Sequence, residues 1–357
     1  MRIFPSARAI FAIFGVALAC AFATLLLPTN DYQRYQLLRG TIHDRAHWIY
    51  ERIHFDPTPI DVVIIGSSRT GAGVDPGRLG RDTGLNVVNF SLPEAGRNIN
   101  HAIIEEMLKA KQPRLLVIGV TEKPSRFGHS AFRYLASPAD LLNPGYLANF
   151  NWLPDLAYLP YRQLYLFAAW LAPGAMGMPK HFDPARYDGP AYDTTQDIVM
   201  PDGHIKRTDI AAPMAELLRG VKKLEAGNRP AILPARFADI EFGDDRSYVR
   251  RIVALAKARG IRVAFLAIPY YTGTSDVQEA PLYERFGPIW NAGFFASHPA
   301  DYSDYAHLNR GAARQLTDWL APKITAALAP SPRPQPAPFS RPPGEPLLPL
   351  QKSAAFP

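Results

Sequence analysis

Cysteine is almost absent: one in 357 residues, Cys20, and it sits inside an apolar run. No disulfide can therefore form within the rest of the chain. Lack of cysteine is compatible with an oxidising compartment without demonstrating one. Metal-ligand spacing is missing as well. There is no His-Glu-x-x-His and no Cys/His cluster, so no metal is expected; His181, His204 and His298 read as surface or insertion residues. Two glycine loops fail their own tests. Gly66-Ser-Ser-Arg-Thr-Gly71 is not followed by Lys-Ser/Thr, which removes the key cation of an ATP loop, and Gly71-Ala-Gly73-Val-Asp-Pro76 lacks the third glycine of a dinucleotide fingerprint. No cofactor is expected. Basic runs are also lacking. The net charge of +7 is spread along the chain, with nothing longer than Lys222-Lys223 or Arg250-Arg251, which argues against nucleic acid and for a solvated or anion-facing surface. No internal repeat is present.

What the chain does have begins near its amino terminus. Residues 1–8 carry Arg2 and Arg8 and precede an uncharged run of nineteen residues, Ala9–Leu27. At helical rise that run spans roughly 28 Å, close to the hydrocarbon thickness of a bilayer. A cleavable signal peptide is the rival, with Ala21-Phe22-Ala23 as its small-x-small site. Leu25-Leu26-Leu27 continues the apolar stretch past that point, so an uncleaved transmembrane anchor is the preferred expectation. Cys20 does not fit a lipoprotein site, because Ala17 stands where a branched apolar residue is usual. The charge balance across the run is nearly even. A short basic amino terminus favours N-in, with the body outside the cytoplasm.

Residues 31–57 read as a polar helical stalk. The folded domain is expected at 58–328 and a proline-rich disordered tail at 329–357, where ten prolines follow from Pro330. Within the domain, Ile60–Ile65, Asn86–Phe90, Arg114–Val120 and Ile261–Ile268 read as buried strands. Asn98–Lys111, Asp245–Arg259 and Leu308–Leu328 read as helices, the last broken near Pro322. Strands alternating with helices predict an α/β class, a three-layer α/β/α sandwich around a mostly parallel, flavodoxin-like sheet. A long insertion at about 126–244 interrupts the alternation, helical around Tyr161–Leu171 and Met214–Leu224. It would cover or shape a site at the carboxyl edge of the sheet.

The chemistry lies in two short motifs. Asp61-Val-Val-Ile-Ile-Gly66-Ser67-Ser68-Arg69 is a strand running into a turn that presents serine at that edge. Either Ser67 or Ser68 could be a nucleophile, and either could instead cap the following helix. Asp304-Tyr-Ala-His307 places a carboxylate three residues before an imidazole. Asp304 can hold the tautomer of His307, with Asp301 as a second candidate; the bland alternative is that Asp304 caps the last helix.

Gly66-Ser67-Ser68 after an apolar strand, with Asp304-x-x-His307 before the last helix, resembles the SGNH/GDSL hydrolase superfamily. The likeness covers roughly residues 58–125 and 245–328. It includes the strand ends Val88-Asn89-Phe90-Ser91 and Leu116-Val117-Ile118-Gly119. The resemblance implies Ser68 as nucleophile, His307 as base and Asp304 as its partner, with Ser67 in place of the family's aspartate. It implies an oxyanion hole from the Ser68 amide, a glycine for which Gly96 is the late-falling candidate, and an asparagine. Gly119-Val-Thr-Glu122 replaces the pattern that carries that asparagine, a loss of a few kcal/mol of transition-state stabilisation. Arg69, Asn89, Arg97 or Asn98 are candidates to compensate.

The variant motif and the anchor together look like the membrane-anchored members of that superfamily, the alginate acetylation and teichoic-acid D-alanylation proteins. That likeness implies acyl transfer or ester hydrolysis on an envelope or exported polysaccharide, beside a membrane-bound O-acyltransferase as partner. The competing reading is a non-catalytic glycan-binding or scaffold protein of the same fold. Its support is the missing asparagine and an aromatic insertion with Tyr146, Phe150, Trp152, Tyr158 and Tyr161, residues that equally suit a packed core.

Overall fold

The structure is a computed structural model that describes residues 6–142, 151–200, 202–227, 230–274 and 276–329. Tyr146, Phe150 and the proline-rich tail from Pro330 lie outside the described residues.

The protein is α/β with a central parallel sheet. Strands β1 (Val62–Ile65), β2 (Val87–Asn89) and β3 (Leu115–Val120) come first along the chain. The insertion contributes a small ribbon, β4 (Ile198–Val199) with β5 (Ile205–Lys206), paired antiparallel and separate from the main sheet. Then follow β6 (Arg262–Ala267) and β7 (Ile289–Asn291), and a second ribbon of β8 (Tyr302–Asp304) and β9 (His307–Leu308). The five-stranded sheet has the order β2-β1-β3-β6-β7, every pairing parallel. Strand order reverses at β1, because β2 lies on one side of it and β3 on the other. In open parallel sheets such a reversal opens a crevice at the carboxyl ends of the flanking strands.

All residues of β1 and β3 are buried, which explains their unbroken apolar runs. Alternate side chains enter different cores. Val63, Ile65, Leu116, Ile118 and Phe265 pack with Ile103 and Met107 of the helix Arg97–Met107 and with Val249 and Ile252 of the helix Gly243–Ala258. Val62, Ile64, Val117, Ala264 and Leu266 pack on the opposite face with Leu79 and with Leu316 and Leu320 of the helix Arg310–Leu328. That last helix runs through Pro322 without a break.

Three expectations need correction. Residues 31–57 are not a projecting stalk. Tyr35, Trp48 and Ile49 belong to the first core, and Arg45 donates to the carbonyls of Asn89 and Ser91 at the carboxyl end of β2. Polar residues misled the sequence reading because they are buried in pairs: Tyr32 with Glu51, and Arg34 with Glu106. Strand β7 and the β8–β9 ribbon were not anticipated, since two or three residues are too few to show a period. The insertion is more helical than expected, with helices Trp152–Leu171 and Met214–Gly227.

Near the amino terminus, Ala7–Leu26 is a helix of mean hydropathy 2.5, long and apolar enough to cross a membrane, with no fully buried residue and with only its last turn, at Leu25, packed against the body.

Candidate active site

The residues after β1 turn directly into the short helix Ser68–Gly73. Gly66 and Gly119 permit this. A methyl group on Gly66 would lie 2.6 Å from Thr70 Oγ1, and one on Gly119 would lie 1.9 Å from it. The glycines are there for close approach of helix to sheet, since neither has positive φ. Ser67 precedes the helix without making a side-chain cap bond, so the capping alternative for that serine does not hold.

His307 arrives from the other end of the chain on the β8–β9 ribbon, where Asp304 and His307 are paired across a tight turn. The ribbon rests on the loop after β6: Tyr302 Oη donates to the Pro269 carbonyl at 3.1 Å, and the Tyr271 amide donates to Tyr305 O at 2.9 Å. Through that contact His307 Nε2 comes to 2.7 Å from Ser68 Oγ, across 239 sequence positions. On the far side of the ring, Nδ1 is 2.8 Å from both Asp304 oxygens. Asp304 Oδ1 also accepts the amides of Ala306 and His307 at 2.8 and 3.0 Å. Asp301 ends a neighbouring turn, and its backbone carbonyl accepts the Asn309 amide at 2.7 Å. Asn309, not Asp304, caps the last helix, accepting the Ala312 amide at 3.0 Å.

Burial lowers the pKa of His307, and Lys206 and Arg69 push the same way, overriding the lift from Asp304. The ring is therefore neutral at pH 7, as a base must be. For Asp304, burial pushes the pKa up, but the bond to His307, its charge and that of Lys206 outweigh it and hold the carboxyl below its usual range. Asp304 is an anion that fixes the Nδ1–H tautomer and leaves Nε2 free to accept from Ser68. Ser68, Asp304 and His307 are all half-buried, so the site remains reachable from solvent.

Lys206, which sequence reasoning missed, reaches in from β5 of the insertion, with Nζ 3.0 Å from Asp304 Oδ2. Its ribbon is tied to the site by Thr208, whose carbonyl accepts the Arg310 amide at 2.6 Å, and by Thr194, whose hydroxyl donates to Gly71 O. Nothing in the local sequence marks Lys206, because only the folded insertion brings it there.

The candidates for oxyanion or substrate binding are largely committed elsewhere. Arg69 is buried, with Nη1 on Glu122 at 2.8 Å and on Ile268 O at 2.6 Å, and its guanidinium lies 3.9 Å over the Tyr270 ring. Tyr270 in turn stacks on Tyr305, with 12° between the rings. Glu122, the last residue of the Gly119-Val-Thr-Glu122 segment, thus organises the wall beside Ser68. Asn89 Nδ2 donates to the carbonyls of Thr70 and Val74, each at 3.1 Å, locking the end of the Ser68 helix. Asn98 Oδ1 accepts the His129 amide at 2.8 Å. Gly96 packs so tightly on His129 that a methyl group would lie 2.5 Å from its backbone nitrogen. Arg97 Nη1 donates to Gly119 O at 2.5 Å. Asn89 is therefore a scaffold residue, whereas Asn98, fully buried, commits Oδ1 to backbone amides and leaves Nδ2 without a hydrogen-bond partner. A donor at the nucleophile itself is the first-turn amide of its own helix, which no intrahelical carbonyl takes up.

Two groups of ligand-type side chains lie close together, His43 with Glu94 and His129, and His101 with Glu105 and Asp140. In the first, His129 uses both ring nitrogens on backbone, Nε2 on Pro93 O at 2.5 Å and Nδ1 on the Ala131 amide at 3.1 Å, so it is not free to bind a metal. In the second, His101 Nδ1 is already 3.3 Å from Glu105.

No protein-family model and no curated protein matches the chain.

Proposed function

We propose that the protein is an extracytoplasmic, membrane-anchored serine esterase or O-acyltransferase of the SGNH type. The observation that carries this reading is the Ser68–His307–Asp304 chain of hydrogen bonds, 2.7 Å and 2.8 Å long, at the switch point of a parallel sheet. In this mechanism Ser68 Oγ attacks an acyl carbonyl while His307 Nε2 takes its proton. Asp304 stabilises the imidazolium, and the Ser68 amide faces the developing oxyanion. His307 then returns the proton to the leaving alkoxide, which departs and leaves an acyl-enzyme. Water or a sugar hydroxyl resolves the acyl-enzyme by the reverse sequence. The resemblance of the motifs, with the strand order, supports the SGNH sandwich as the finer description of the fold. It also supports an acyl ester, such as an acetyl group on an envelope polysaccharide, as the substrate class and a membrane-bound O-acyltransferase as the partner. Turnover of an activated acetyl ester by the purified chain tests the chemistry; wild-type turnover no higher than that of Ser68→Ala would defeat it.

The anchored topology is tested separately. With the N-terminus in, a carboxyl-terminal alkaline phosphatase fusion is active, whereas an inactive fusion would place the body in the cytoplasm.

One observation favours a second reading, a glycan-binding or scaffold protein. Asn89 spends its side-chain amide on backbone carbonyls, so it does not supply the missing oxyanion donor. A wild-type chain that binds polysaccharide but never turns over ester would select it.

A further inference from the structure

The helix Trp152–Leu171 is turned inside out. It carries three polar or charged side chains besides its tyrosines, Asp155, Arg162 and Gln163, and all three are buried. Arg162 Nη1 is held by the carbonyls of Arg133 and Ala136 at 2.8 and 2.7 Å. The outward face is uncharged. Leu153 is 66% exposed, Leu164 52%, Trp170 46% and Leu171 61%. Leu153, Ala157, Tyr161, Leu164 and Leu171 recur at steps of about 3.6 residues or its multiples, one stripe along a rod of roughly 30 Å. Beyond it, no charged residue occurs from Gln163 to Pro179. A soluble surface helix has the opposite polarity, and a continuous apolar face of this kind marks an interaction surface.

Its position says what covers it. Leu25, in the last turn of the apolar helix Ala7–Leu26, packs into the same small core as Trp152, Leu141 and Leu159. Just after that turn, Gln33 Nε2 donates to Ala169 O at 3.0 Å, near the other end of the helix. The helix is thus pinned at both ends to the segment where the chain leaves its apolar span. Only Ala7–Leu26 meets the length and hydropathy of a membrane crossing among the described residues, so Trp152–Leu171 is not a candidate span, and contact with a bilayer would be along its side.

We propose that the Leu153–Leu171 face is a second membrane contact, bedded in the headgroup–acyl boundary of the leaflet where Ala7–Leu26 emerges. The proposal rests on reading Ala7–Leu26 as a membrane helix. Continuity with that span, the uncharged stripe, and the interfacial preference of Trp and Tyr all select lipid as the occupant. Span and helix together hold the body in one orientation on the membrane, where a single span would let it swivel.

The test uses the full chain in phosphatidylcholine–phosphatidylglycerol liposomes. In a Cys20→Ala background, Leu153→Cys, Leu164→Cys and Leu171→Cys are each spin-labelled, with Arg314→Cys as control. Arg314 is exposed on the helix that covers the opposite face of the sheet. The ratio of accessibility to oxygen over a water-soluble nickel chelate is read at each site. The proposal predicts a ratio several-fold higher at the three stripe positions than at 314. Ratios equal to the control overturn it. The wild-type chain labelled at Cys20 separates the two claims. Lipid exposure at Cys20 with water exposure at the stripe overturns this proposal alone, and water exposure at both overturns the membrane-helix reading with it. A stripe shielded in native membranes but open in liposomes overturns lipid in favour of a protein occupant.

Discussion

The Lys206 ammonium is 3.0 Å from Asp304 Oδ2 and also lies 3.1 Å from His307 Nδ1. With Nδ1–H pointing at Asp304, the ammonium can bond only to the carboxylate, and its charge opposes protonation of the ring. Lys206→Met removes that opposition and raises the His307 pKa. Activity needs the neutral imidazole, so it is lost as pH falls through that pKa. In the proposed mechanism the acid limb of kcat/KM should lie below the ordinary histidine value of about 6.5 in the wild type, because the His307 pKa is lowered. It should move to higher pH in Lys206→Met, with ester turnover near pH 5.5 falling several-fold and turnover at pH 8 little changed. An acid limb that stays in place or moves down would show that Lys206 does not act on His307.

Asn89 separates scaffold from catalysis. Its buried amide serves the Thr70 and Val74 carbonyls, so Asn89→Ala strips partners from two buried acceptors. The expected cost is about 2 kcal/mol of stability. Thermal denaturation of the detergent-solubilised chain should register that loss, and residual kcat should follow the folded fraction. An oxyanion donor would give the reverse pattern, a large kcat deficit at unchanged stability.

His129 should contribute to acid sensitivity, as should His101, whose pKa burial also lowers to about 4. Burial, reinforced by His43, lowers the His129 pKa to about 4. The unfolded chain takes up this proton near pH 6.5 and the folded chain resists it, so stability present above about 6.5 is lost as pH falls towards 4, by about 3 kcal/mol in full. His129→Gln has no proton to bind. Its melting temperature should fall less than that of wild type between pH 7.5 and 4.5. Equal falls would contradict the assignment.

The parts of the fold legible in sequence were those with a period. The runs around Val62–Ile65, Leu115–Val120 and Arg262–Ala267 announced buried parallel strands, and Asp304-x-x-His307 announced its pairing by spacing alone. Residues 31–57 misled because burial of Glu51, Arg34 and Arg52 depends on partners distant in sequence or on backbone carbonyls. Lys206 was invisible for the same reason, being 101 positions from His307. Asn89 and Asn98 were plausible donors by type, but the number of nearby carbonyls and amides they serve emerges only from packing.

The central claim is that Ser68 is a nucleophile activated by His307, and fluorophosphonate labelling read by peptide mass spectrometry tests it most directly. A fluorophosphonate reacts only with an activated serine. Wild type and Ser67→Ala should carry the adduct on Ser68. Ser68→Ala and His307→Ala should both fail to label, because nucleophile and base act as a unit. Asp304→Asn should label slowly, since the imidazole remains but its tautomer is no longer enforced. An adduct on Ser67, or a folded wild-type chain that never labels, would contradict the account.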